Sequence, residues 1–126
     1  MHLYFQNGEE QRLFKDQRYP NVVVTIQGTV LAVWGNDGVV VRRREDGGKT
    51  WGSAISVSKK GYHGGGTTVD TTSGDVIIFV EDRQPPAPLK IFRSQDDGKS
   101  WQIQKTKIEK EASKEQIEYW TILLHK

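Results

Sequence analysis

The sequence predicts an all-β chain: two four-stranded antiparallel sheets, one supersecondary unit used twice, followed by an amphipathic C-terminal helix. Three observations carry this. Ser94 to Trp101 reads Ser-Gln-Asp-Asp-Gly-Lys-Ser-Trp and has an earlier copy, Arg-Glu-Asp-Gly-Gly-Lys-Thr-Trp, from Arg44 to Trp51, at an offset of 50, from 44 to 94. A repeat of that period signals a reused structural unit. Short runs rich in valine and isoleucine, punctuated by Gly, Asn and Asp, flank each copy, and such runs read as strands joined by tight turns. After about residue 108 the turn signals stop and glutamate and lysine dominate.

The residue types of the repeated octapeptide follow from what a tight turn needs. Asp46 and Asp96 can fold a carboxylate back onto nearby backbone N–H groups, and Gly48 and Gly98, two residues later, take positive φ at little cost. The hydroxyls of Thr50 and Ser100 can add a local bond. Trp51 and Trp101 then supply the first large apolar group of the returning strand and wedge beneath the turn. The motif is therefore expected to cap a hairpin rather than to perform chemistry.

The first unit runs through Val22 to Ile26, Thr29 to Trp34, Val39 to Arg43 and Ala54 to Ser58, with turns at Gln27-Gly28 and Asn36-Asp37-Gly38. The second follows as Thr67 to Thr71, Asp75 to Phe79, Leu89 to Arg93 and Trp101 to Lys105. Val69 answers Val23, and Gly74 answers Gly28, at an offset of 46, from 28 to 74. The offset grows by the time the octapeptide is reached because residues 81–88, with three prolines, replace the shorter turn at Asn36. Prolines at that density mark a loop. The expected organisation is a lead-in over 1–19, a first unit over 20–60, a second over 61–108 and a helix or capping segment over 109–126. In that last segment Ile108, Ala112, Gln116, Tyr119, Trp120, Leu123 and Leu124 fall near one helical side; a further strand from Tyr119 is the alternative. Residues 2–6 resemble a protease-site remnant, and they equally suit an edge strand.

Composition narrows the function classes. A net charge of +2, with Arg42 to Arg44 the only tight basic run, gives no broad basic face for nucleic acid; those arginines read as solvated strand residues. Absence of cysteine removes disulfides and thiolate metal sites. His63 has no second histidine at ligand spacing, so neither metal nor cofactor is expected. No stretch approaches membrane-spanning length, and the first residues do not read as a signal peptide.

Four antiparallel strands in about 40 to 50 residues is the size of one propeller blade. The octapeptide resembles the Asp-box, S-x-D-x-G-x-T-W, of sialidases and related β-propellers, with Arg44 in place of the box serine in the first copy. Gln17-Arg18-Tyr19-Pro20, followed by a valine-rich strand and Gly28-Thr29-Val30-Leu31-Ala32, is similar to the Arg-Ile-Pro segment of that family. The resemblance spans about Gly8 to Trp101 and covers the family's first two blades. It implies that Arg18 is one of three arginines that grip a substrate carboxylate, for which a planar guanidinium is suited. Asp37 occupies the connection where the family places its acid/base aspartate, although beside Gly38 it reads first as a hairpin residue; Arg83 is a further substrate-binding candidate. Asp46, Gly48, Trp51, Asp96, Gly98 and Trp101 are the structural box residues.

Strand parity puts both boxes at one end of the sheets and Arg18, Tyr19, Asn36, Asp37, Tyr62, His63, Glu81, Asp82 and Arg83 at the other. The family's tyrosine nucleophile and remaining arginines come from later blades, and no residue here takes their place. Two blades alone leave apolar sheet faces in need of cover. The expectation is a sialidase-like propeller module with an incomplete active site in one chain, self-assembling, a homotrimer closing a six-bladed ring, and a binder of sialylated glycan. The alternative is an exo-sialidase, a glycoside hydrolase active as part of a longer chain or across subunits.

Overall fold

A computed structural model describes residues 2–4, 10–15, 18–45, 48–64, 66–81 and 89–104. The chain is all-β there, with no helix among the described residues. The helix expected over 109–126 and the loop over 82–88 lie outside them.

A short ribbon comes first: β1 (His2–Tyr4) pairs antiparallel with β2 (Glu10–Arg12). The first four-stranded sheet then follows as an antiparallel meander of β3 (Asn21–Val24), β4 (Val30–Trp34), β5 (Val39–Arg44) and β6 (Ile55–Ser58). The second repeats it with β7 (Thr67–Val69), β8 (Val76–Glu81), β9 (Leu89–Ser94) and β10 (Gln102–Gln104). The registers agree between the repeats: Leu31 lies opposite Arg43 and Ile77 opposite Arg93, Val30 opposite Arg44 and Val76 opposite Ser94. One difference from the sequence expectation is Glu81, placed in the proline loop by composition but found as the last residue of β8, where it pairs with Leu89 and bridges Tyr62.

The two sheets stack front to back. Leu31, Val33, Val39, Val41 and Val57 of the first sheet share a core with Val76, Ile78 and Val80 of the second. The repeat makes Val76, Ile78 and Val80 the counterparts of Val30, Ala32 and Trp34, which face the other way in their own sheet. Both sheets thus point the same direction, like successive pages, with their first strands β3 and β7 side by side. Strands buried on both faces lose the apolar–polar alternation of a half-exposed sheet, and β4 does, with Leu31 to Trp34 all buried.

The lead-in covers the back of the first sheet. Leu13 packs with Ala32 and Trp34, and the Phe14 ring stacks on the Trp34 indole at 4.1 Å and 13°. The cover stops short of β3, leaving Val22 and Val24 exposed, Val24 at 58%. On the front of the second sheet Ile77 and Ile91 are buried, each 2% exposed.

Candidate functional site

Parity groups the residues at each end of the sheets, and hydrogen bonds tie them together. At the leading end, the segment before β3 is held by the turn after β4 and by the segment before β7. The Gly35 N–H donates to the Arg18 carbonyl at 3.1 Å, and the His63 N–H donates to the Gly35 carbonyl at 2.9 Å. The turn into β5 needs Gly35, because the Gly38 carbonyl occupies the place a β-carbon would take. His63 is buried, with Nδ1 2.8 Å from the Tyr19 carbonyl and Nε2 2.7 Å from the Thr67 hydroxyl. A carbonyl only accepts, so Nδ1 carries the proton and Nε2 accepts from Thr67. Burial pulls the His63 pKa below its ordinary value, against the opposing pull of its backbone hydrogen bonds to Tyr19 and Gly66, so the imidazole is neutral near pH 7.

This clamp holds Tyr19 at a φ of 59°, a left-handed conformation uncommon for a residue with a β-carbon. The Tyr19 ring meets Tyr62 edge-on at 6.0 Å. Tyr62 in turn is bridged to Glu81, whose carboxylate lies over Gly64. Arg18 stands exposed beside this cluster, and its guanidinium has no partner among the described residues. Asp37 is exposed in the Gly35–Gly38 turn of the same end. The structure therefore brings Arg18, Tyr19, Asp37, Tyr62, His63 and Glu81 to one end. Asp82 and Arg83 lie outside the described residues. No three His, Cys, Asp or Glu side chains among the described residues converge as metal ligands.

At the opposite end, the second box closes on itself. Asp96 accepts from the backbone N–H and the hydroxyl of Ser100 and from the Ser94 hydroxyl, while the Gly98 N–H donates to Ser94 Oγ. The Trp101 indole N–H donates to the Gly98 carbonyl at 3.1 Å. Desolvation pushes the Asp96 carboxyl up, but the bonds from Ser100 and Ser94 outweigh it and hold the pKa low. A carboxylate saturated in this way is structural. In the first copy Arg44 replaces the serine, and its Nε donates to the Gly48 carbonyl at 2.8 Å; Asp46 lies outside the described residues.

Sequence reasoning missed Asp97, the residue between the box aspartate and glycine. It is buried at a φ of 64° and joins the two sheets. Its carboxylate accepts from the Thr29 hydroxyl and, at 3.0 Å, from Arg43 Nη2; its carbonyl accepts from Arg43 Nε at 2.9 Å. Gly98 beside it packs on the Leu31 side chain. Desolvation raises the Asp97 pKa, yet the Thr25 and Thr29 hydroxyls and the Arg43 guanidinium together hold it below the ordinary carboxylate range. The three consecutive arginines, expected to be solvated, are instead half-buried. Arg42 reaches the carbonyls of Gly52 and Leu13 at 2.8 and 2.9 Å.

No protein-family model matches the chain.

Proposed function

We propose that this chain is a sialidase-like Asp-box propeller module that self-associates and offers Arg18 at its leading end to the carboxylate of an acidic glycan. The observation that carries the reading is the front-to-back stacking of two like sheets with their first strands adjacent. A ring would repeat that arrangement around an axis, three copies supplying six blades with the Leu13–Phe14 lead-in lying at each joint between copies. Val22 and Val24, apolar and exposed on the edge strand β3, favour association over isolation.

At the leading end, a guanidinium without a partner among the described residues, beside a tyrosine–histidine clamp, suits recognition of a planar carboxylate. Among the described residues, Asp37 and Glu81 are carboxylates at this same end of the sheets, and no tyrosine–carboxylate hydrogen bond of a nucleophile is present. Binding is therefore favoured over catalysis.

Sedimentation equilibrium should give three times the 14.3 kDa of one chain, and sialyllactose should bind saturably and lose affinity in Arg18→Ala. A monomer at every concentration overturns the assembly. Binding unchanged by Arg18→Ala overturns the role of that arginine, and turnover of a fluorogenic sialoside assigns the chain to the hydrolases instead.

A further inference from the structure

The face of the second sheet turned away from the first carries a polar row towards its box end. Arg93 lies opposite Ile77 on one side and opposite Gln102 on the other, and Gln104 lies opposite Ile91. Side chains alternate along a strand, so Arg93, Gln102 and Gln104 share the face of Ile77 and Ile91, while Val76, Ile78 and Val80 pack on the first sheet. Arg93 Nη1 pairs with the Asp75 carboxylate at 2.9 Å, which brings Asp75 into the same row. Together with Gln95, Asp96 and Ile103 these residues line a cavity of about 650 Å³, a volume within the range of small-molecule sites.

Charge narrows what such a cavity can take. Arg93 is committed twice, to Asp75 and, from Nε at 3.0 Å, to the Gln104 amide oxygen. Asp96 adds a second carboxylate, kept ionised by its bonds from Ser94 and Ser100. The described lining therefore holds two carboxylates against one guanidinium, and an anionic ligand would meet repulsion there. A metal cation fares no better, because the Asp96 oxygens are already engaged and no cluster of metal-ligating side chains forms among the described residues. What remains unused is neutral: the Gln95 and Gln102 side chains, both exposed, make no hydrogen bond to a described residue. Each of these amides both donates and accepts. About half of the lining is apolar, and Ile103 is 56% exposed. A saccharide matches that mixture, since its hydroxyls both donate and accept while its C–H faces pack on apolar surface.

We propose that this cavity binds a neutral mono- or disaccharide through the Gln95 and Gln102 amides, with the Asp75–Arg93 pair fixed beside them. The site lies at the box end, opposite to Arg18, and rests neither on that arginine nor on self-association. The test titrates the isotope-labelled full chain with lactose, maltose and N,N′-diacetylchitobiose, following by NMR the side-chain amides of Gln95 and Gln102 and the Nε–H of Arg93. At least one of these sugars should move those signals saturably. Gln95→Ala and Gln102→Ala should each weaken that binding about tenfold, the loss of two hydrogen bonds, and circular dichroism should show the fold intact, both side chains being exposed. Raising the salt concentration should leave the affinity unchanged, because the ligand carries no charge to screen; a carboxylate held by Arg18 should instead weaken. No saturable movement with any of the sugars overturns the site. Binding that both glutamine variants leave intact overturns the assigned residues, and signals that respond only to sialyllactose, weakening with salt, overturn the neutral ligand.

Discussion

Arg43 grips Asp97 twice, once at the carboxylate from Nη2 at 3.0 Å and once at the backbone carbonyl from Nε at 2.9 Å. One residue belongs to the third strand of the first sheet and the other to the box of the second. Their side chains are 12% and 6% exposed. The pair therefore decides how the two sheets sit against each other.

Removing Asp97 leaves Arg43 with only the exposed Glu45, at 3.4 Å, and removing Arg43 leaves a nearly buried carboxylate; breaking such a pair costs about 3 kcal/mol. Asp97→Ala should lower unfolding stability by about 3 kcal/mol in urea titration. The double variant with Arg43→Met should cost less than the two single changes together, a coupling on the order of 1 to 3 kcal/mol. Simple additivity would mean the pair is not energetically joined.

Acid should act through the same residue. The folded Asp97 pKa lies below that of the unfolded chain, about 3.9. Its stabilisation is whole above that value and is lost as pH falls through the folded pKa, because the unfolded state then binds the proton more readily. Stability measured from pH 5 to pH 2 should fall, and Asp97→Asn should flatten the slope.

His63 gives a separate, milder dependence. Its folded pKa is lowered from about 6.5, so the unfolded chain takes up a proton first and stability declines as pH drops below about 6.5. NMR titration of the imidazole should show the lowered midpoint. His63→Ala should cost about 2 kcal/mol, the loss of two buried hydrogen bonds, and should release Tyr19 from its positive φ.

Gly61→Ala should destabilise by about 2 kcal/mol or more, since Gly61 holds a φ of 98° and a β-carbon would come within 2.6 Å of the Glu81 carbonyl. Gly66→Ala, where φ is 87° but nothing lies within 4 Å, should cost less. Thermal melts of the two variants separate backbone strain from steric overlap.

The strand order was legible because each repeat alternates β-branched runs with turn residues, and comparing Val23 with Val69 and Trp51 with Trp101 fixed the pairing frame. The internal bonding of the second box was also legible, being local in sequence. Asp97 was not. Its counterpart is Gly47, so comparison of the copies made the position look indifferent, whereas its partners Thr29 and Arg43 are distant in the chain and meet it only after the sheets stack. The arginines failed for the same reason: a charged run reads as solvated until the carbonyls that receive it are placed. Strand parity alone places Arg18 at the leading end, while the clamp that positions its neighbour depends on a histidine 44 residues away from Tyr19.

The clasp between Arg43 and Asp97 also gives the chain a direction. The second repeat can close upon the first, but the first repeat, with Gly47 where the clasp would be, cannot do the same to whatever precedes it. The joint between the two sheets thus carries a clasp that the first repeat does not duplicate.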